Sequence, residues 1–457
     1  MNRTKSLHDL RKLLPRGEVS FDPGILNEHG GDKWFAHHQP EAVVFPRNVS
    51  SVSTLLRFAN QRKIPVTPRG AGYGYVGGCV PIRGGIVLSL AKLNKIKEIN
   101  GADFVAVVQA GVNTKALQDA VERKGLYYPP DPASRADTFI GGNIATNAGG
   151  PRCLKYGVTR DYVLGLEVVL ANGDIVNVGG RTHKNKTGFD FSRLFTGSEG
   201  MLAVITEANL KLLPLPPYRA NLAVGFRTMR QAIRALQAIL REGFLPCALE
   251  VADAFTLAAA YNRTHSERLR GCRAYLIVEL DGQERSVRGE IRDVEQIIKR
   301  EKPVSITKGL GKKQCEAVWN VRKEFSYSLR DTGLTKLNQD IVVPHGRLED
   351  LFRFAANLQK RHGLPIACFG HAGDGNIHCN VMVDYQQPQA ARRADAALDD
   401  LFRQVLAWKG SITGEHGIGL AKKPWWPLAA SKELRTLHKT VKDALDPNNI
   451  LNPGKFL

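Results

Sequence analysis

The seven cysteines of this 457-residue chain (Cys79, Cys153, Cys247, Cys272, Cys315, Cys368 and Cys379) include no C-x-x-C spacing. That scatter argues against zinc ribbons, iron–sulfur clusters and a disulfide framework, and leaves the cysteines as small core residues. Without a cysteine cluster, electrons cannot pass to an iron–sulfur centre in the same chain. Long apolar runs are missing too: no stretch of about 18 uncharged apolar residues occurs, so no membrane span is expected. The first ten residues, Met1 to Leu10, lack the apolar core of about 7 to 15 residues that marks a secretory signal. A soluble, cytoplasmic protein is expected. There is no internal repeat, and no zinc finger, RNA-recognition module or clustered basic helix accompanies the formal net charge of +20. Nucleic acid is therefore set aside as a partner. Acidic substrates, an acidic partner protein and the anionic inner face of a membrane all remain, because charge alone does not separate them.

What is present is an ordinary globular composition, 43% hydrophobic, on a chain longer than one core organises. Two large domains follow. Residues 43–46 read as a strand, 50–59 as an amphipathic helix and 64–68 as a second strand, a β-α-β opening. Strands at 166–170 and 175–178 pair around Asn172-Gly173 as a hairpin. The proline-rich seam 213–217 ends the first domain, since consecutive prolines stop regular structure. Beyond it, a helix at 229–242, a strand at 274–279 and a helix at 286–301 indicate an α+β arrangement. The tail 445–454 is rich in turn formers, yet its apolar residues require a docking place.

Two glycine-rich blocks stand out. Residues 69–78 let the backbone approach a ligand closely and offer a run of amide donors suited to a pyrophosphate, although such loops are often turns. No helix opens at the end of this block, so it is not the dinucleotide fingerprint of a Rossmann fold. Residues 139–150 carry small side chains that leave room for a planar ring, with Thr146 and Asn147 able to bond its edge; the alternative is tight helix-to-sheet packing. A third block, Thr196 to Leu202, lies in the same domain.

The segment 366–383 reads as a hairpin whose apolar strands flank Ala372-Gly373-Asp374-Gly375. Asn376, His378 and Asn380 share one face of its second strand, and His371 at the end of the first can sit beside His378. A buried polar cluster is one reading of two such histidines. Glu415, beside His416 on the glycine loop 413–419, offers a third ligand, and two histidines with a carboxylate suit zinc, manganese or iron. Arg322 is a candidate bidentate clamp for a carboxylate, with surface decoration as its alternative. Lys422-Lys423-Pro424-Trp425-Trp426 could meet a membrane interface or pack against the domain.

These motifs carry a resemblance. Pro68-Arg69-Gly70-Ala71-Gly72, Ile140 to Asn143, Ala145 to Gly150, Lys155-Tyr156-Gly157 and Gly197 to Gly200 resemble the FAD-binding domain of the vanillyl-alcohol oxidase and p-cresol methylhydroxylase superfamily. Gly370 to His378 and Gly414 to Gly419 resemble the signatures of the D-lactate dehydrogenase, glycolate oxidase flavin-subunit and D-2-hydroxyglutarate dehydrogenase family, and the likeness runs from about Glu41 to Gly454. The resemblance implies an α+β, two-domain flavoprotein: a PCMH-type FAD domain over 1–217 (core about 40–217), a substrate or cap domain over 218–411, and a segment 412–457 that returns to the FAD domain.

By the same resemblance FAD contacts Pro68, Arg69, Gly70, Ala71, Gly72, Tyr73, Gly74, Pro132, Thr138, Gly141, Gly142, Ala145, Thr146, Asn147, Gly149, Gly150, Tyr156, Gly157, Glu199, Gly200, Ile205 and Asn452. Tyr73 stands where relatives with covalent FAD often have histidine, so the flavin is expected to be non-covalent. His371, His378 and Glu415 would hold a divalent metal, zinc foremost. Arg322, Asn380 and Lys336 would bind substrate, and His416 would act as base. The 2-hydroxyglutarate enzymes carry a lysine two residues before the aspartate of a D-x-x-x-P element; here Asn338 precedes Asp340, and Lys336 lies two positions earlier. The implied reaction is oxidation of D-lactate, glycolate, D-malate or D-2-hydroxyglutarate to the 2-oxo acid. A quinone, cytochrome or electron-transfer flavoprotein would take the electrons, and a homodimer and peripheral membrane contact remain open. The rival classes are another flavin oxidase or alkyl-transfer enzyme of the superfamily, and a non-flavin zinc hydrolase or basic binding protein.

Overall fold

The computed structural model describes residues 7–457; the first six residues of the segment read above for a secretory signal lie outside the described residues. Two compact units divide the chain: one comprises the described residues through 149, then 158–215 and 415–457, and the other comprises 150–157 and 216–414. Among the described residues no helix is long and apolar enough to cross a membrane.

The described residues of the first unit form two larger sheets and one two-stranded pair. β1 (Val19–Ser20), β2 (Ala42–Val44), β3 (Val66–Arg69) and β4 (Ile86–Ser89) form one in the order β1-β2-β4-β3, with β2 and β3 both parallel to β4. Between β2 and β3 runs helix α1 (Val49–Arg62), whose apolar stripe Val52, Leu55, Leu56, Phe58 and Ala59 is buried. Its cap is Asn48, which accepts from the Ser51 amide at 2.9 Å, so the helix starts earlier than residue 50. β5 (Ile96–Asn100), β6 (Val105–Gln109), β8 (Val163–Val169), β9 (Ile175–Gly179) and β10 (Val204–Lys211) form an antiparallel sheet ordered β5-β6-β10-β8-β9. The β8–β9 hairpin turns at Asn172-Gly173 as its sequence requires. The short strands β7 (Leu126–Tyr127) and β11 (Leu213–Pro214) pair separately.

The second unit is built on one antiparallel sheet of seven strands. These are β12 (Tyr218–Phe226), β13 (Ala248–Asp253), β14 (Ala274–Gly282), β15 (Ser305–Leu310), β16 (Thr335–Val342), β17 (Ile366–His371) and β18 (Asn376–Val383), ordered β15-β12-β14-β13-β17-β18-β16. Helix α2 (Gly311–Arg330) sends Val318, Phe325 and Leu329 into a core shared with Ala252, Tyr275, Ile277, Phe369 and Met382 on one sheet face. Residues 150–157 belong to this unit rather than to the expected first domain. Arg152 pairs with Glu279 at 2.9 Å, and Lys155 and the Tyr156 hydroxyl both reach Asp281.

The returning segment, residues 415–457, completes the first unit. The tail docks along β3: the Val66 amide donates to Ile450 O at 2.7 Å and the Asn452 amide to Val66 O at 2.8 Å. Lys422 is buried, and the Trp426 ring packs edge-on against His438 and Phe456. Within this segment Lys423 and Pro424 remain exposed, while the tryptophans are partly buried.

Candidate active site

In an antiparallel sheet, directly opposed residues point to the same face. The register pairs Glu250 with His371, Phe369 with His378, His378 with Asp340 and Asn380 with Asn338. One face of the second unit therefore gathers Glu250, His371, His378, Asn380, Asn338 and Lys336. The hairpin expected over 366–383 forms, and its two histidine rings lie 5.4 Å apart, centroid to centroid. Their nearest ligand nitrogens are within 4.8 Å, a separation one ion can bridge.

Glu250 is the residue that sequence reasoning missed. It is 1% exposed and accepts from His371 Nδ1 and from Arg322 Nε, each at 2.5 Å. Because a carboxylate only accepts, the bond to Glu250 places a proton on His371 Nδ1, which leaves Nε2 as the ring atom that could ligate a metal. Burial pushes the Glu250 carboxyl up, but Arg322 and His371 outweigh it and hold the group at about 2. The signal was visible in retrospect: one charge inside the apolar strand Ala248 to Ala252.

Arg322 is not surface decoration. Its guanidinium lies over the Phe369 ring at 4.9 Å, and only Nε is used by Glu250. The terminal Nη nitrogens make no hydrogen bond to a described residue, so they remain as a fork for a carboxylate. One turn earlier on α2, Trp319 Nε1 donates to buried Glu279 at 2.5 Å. Asn380 is fully buried; its Nδ2 donates to Ala367 O and His378 O, while Oδ1 has no partner among the described residues. Lys336 Nζ donates to Ser326 Oγ at 2.8 Å, and burial lowers its pKa to about 8. On the same face Asp340 fixes the approach to the next motif, accepting from the Gly414 amide at 2.8 Å and from Thr413 Oγ1. Glu415 follows Gly414 by one peptide bond.

In the first unit the segment 415–419 is held by Glu199, which accepts from the Ile418 and Gly419 amides at 2.8 and 2.9 Å. Gly417 is in the left-handed region, and a Cβ there would stand 2.7 Å from Glu199 Oε1. His416 is partly buried, its ring 5.3 Å from that of Tyr75. Three of the residues expected to meet FAD, Asn147, Glu199 and Asn452, have positive φ between 44° and 51°. Non-glycine residues hold that conformation only where their surroundings impose it, and such positions cluster at ligand sites.

The glycine blocks divide between the two roles foreseen for them. Gly141 serves packing, since a Cβ there would come within 2.6 Å of Ala110. A Cβ on Gly70 would meet the Gly142 backbone at 3.5 Å, while one on Gly142 would meet nothing within 4 Å. Two bare backbones facing each other beside open space suit an FAD cradle. The Arg69 guanidinium donates to Gly31 O and Cys79 Sγ. Asn452 Nδ2 ties Gly78 O to Glu199 O, joining the tail to both loops. Gly150, Tyr156 and Gly157 lie in the second unit, carried there by the pairing of Lys155 and Tyr156 with Asp281.

Comparison with known proteins places this architecture. The fold is that of p-cresol methylhydroxylase with substrate bound, at a TM-score of 0.81 and 21% identity over 99% of this chain and 96% of that one. Residues 40–179 match the model of an FAD binding domain, and residues 215–456 match that of the C-terminal domain of FAD linked oxidases. The chain is 38% identical to the glycolate oxidase subunit GlcD of Bacillus subtilis, over 91% of this chain and 89% of the relative. It is 37% identical to a D-lactate dehydrogenase of Archaeoglobus fulgidus, over 91% of each. The chain thus belongs to the FAD-linked oxidases of the 2-hydroxy acid dehydrogenase type, oxidoreductases acting on CH–OH groups.

Proposed function

We propose that the protein oxidises a small D-2-hydroxy acid to its 2-oxo acid with non-covalent FAD and a divalent metal, zinc, at His371, His378 and Glu415. The observation that carries this reading is the buried chain Arg322–Glu250–His371, which ties a carboxylate fork to a histidine poised for a metal. The relatives named for glycolate and D-lactate supply the substrate class. When bound, FAD supplies a two-electron acceptor and the metal supplies Lewis acidity that lowers the pKa of a hydroxyl.

The chain's own residues do the rest. Arg322 binds the substrate carboxylate through its free Nη pair, and Asn380 and Lys336 border the same face. His416 takes the hydroxyl proton, so that the Cα hydrogen can leave as hydride. An external quinone, cytochrome or flavoprotein then reoxidises the enzyme.

Anaerobic mixing with D-lactate, glycolate, D-malate and D-2-hydroxyglutarate tests the reading: at least one should bleach the flavin absorbance. If none does, the substrate class is wrong. Chelation should abolish turnover and zinc or manganese should restore it; full turnover without metal would point instead to another flavin oxidase or alkyl-transfer reaction. Replacing His416 with Asn should lower kcat by about 10²- to 10⁴-fold with flavin content unchanged.

A further inference from the structure

We infer that Glu250 is a positioning residue that sets the metal-binding nitrogen of His371 and the carboxylate-binding end of Arg322 as one unit; this rests on the proposed metal site and carboxylate clamp. Each oxygen of this one carboxylate has a separate task. Oε1 takes the His371 proton and Oε2 takes the Arg322 Nε proton. Glu250 stands directly opposite His371 in the β13–β17 register, so the backbone, not a flexible loop, sets its height.

The substrate makes such a coupling useful. A 2-hydroxy acid carries its hydroxyl and carboxylate on adjacent carbons, so both anchors must hold a fixed separation at once. An error of about 1 Å in such an arrangement can cost about 10²-fold in rate. Arg322 alone could not supply that constancy, because its side chain has many rotamers. With Nε pinned by Glu250 and the guanidinium over Phe369 and Phe325, the remaining Nη fork has one direction.

A plain structural ion pair is the competing account, and the neighbouring contacts argue against it. Helix α2 is already held to the sheet one turn away, where Trp319 donates to Glu279 and Arg152 completes that cluster. The apolar packing of Val318, Phe325 and Leu329 docks the same helix. Glu250 is therefore not needed to fasten α2, and both of its partners have their other ends on the candidate substrate face.

The test uses the full-length, FAD-loaded protein and its Glu250→Gln variant. Glutamine keeps the size but has one acceptor oxygen, so it can serve His371 or Arg322 and not both. Zinc affinity, read by competition with a chromogenic chelator, should fall about 10- to 100-fold. KM for the hydroxy acid that reduces the wild-type flavin should rise at least tenfold in the same variant. Arg322→Lys should raise KM while leaving zinc affinity at the wild-type value, which separates the two ends. In the double variant the KM effects should be less than additive, since both act through one contact.

Wild-type zinc affinity and KM in Glu250→Gln would overturn the inference, as would full additivity in the double variant. Should that variant lose its flavin or fold, Glu250→Asp replaces it: a side chain one methylene shorter cannot span both partners, and unchanged zinc affinity and KM would again overturn it. A wild-type protein that binds no zinc would instead defeat the metal reading itself, a failure distinct from that of Glu250.

Discussion

Residue scale shows how far burial changes what a side chain can do. Arg322, three residues after a tryptophan on a long helix, has the spacing of a surface residue, and only the tertiary structure buries it against Glu250 and Phe369. Replacing it with Met should lower kcat/KM by about 10²-fold or more, because a buried Glu250 loses one partner and the proposed carboxylate clamp is removed. Steady-state kinetics with flavin content as the control checks this. Lys336 carries a pH signature. Its pKa in the fold is about 8, below the ordinary 10.5, because burial disfavours the charged amine. Between those values the unfolded chain binds the proton that the native protein has released, so stability should rise with pH across that window. Urea unfolding at pH 7 and pH 9.5 should show that rise in the wild type and a flatter response in Lys336→Met. Lys336→Met should also be more stable than the wild type at pH 7.

The elements that carry the site were legible in the sequence to different degrees. The 366–383 hairpin could be read in full, because strand alternation places His378 and Asn380 together and a four-residue turn brings back His371. The loop 413–419 announced its glycines but not their reasons. Gly414 makes room for Asn376, and Gly417 for the Glu199 carboxylate that accepts the two following amides. Gly417→Ala should therefore cost about 1 to 3 kcal/mol in thermal unfolding, since positive φ and a blocked Cβ act together. Activity should fall further than stability does, because His416 is displaced with the loop. The seven-residue helix Ile140–Thr146 shows the limit of pattern reading: adjacent glycines have opposite uses, Gly141 against Ala110 and Gly142 toward open space.

Across the whole molecule, the chain's last segment belongs with its beginning. Lys442 is buried and donates to Met201 O, Leu451 O and Asp446 Oδ2, while Asp446 also accepts from the Ile450 and Leu451 amides. That knot holds the tail against β3. Replacing Lys442 with Met leaves a buried aspartate without its cation and should destabilise the protein by about 3 to 5 kcal/mol, measured as a lowered urea midpoint. Much of the architecture was determined by the sequence alone. Strand and helix patterns with the proline seam called for two domains and an α+β arrangement, since turn chemistry and strand alternation act over a few residues, while the resemblance carried by the glycine blocks and the histidine hairpin implied FAD. Other features depended on residues distant in the chain. Segment 150–157 joins the second unit because Glu279 and Asp281, more than a hundred residues later, supply its counter-charges. Likewise Glu250, an isolated acid in an apolar strand, gains its meaning only when β13 pairs with β17 and α2 closes over both. Ion pairs of that kind depend on which strands become neighbours, and strand order is settled by tertiary packing.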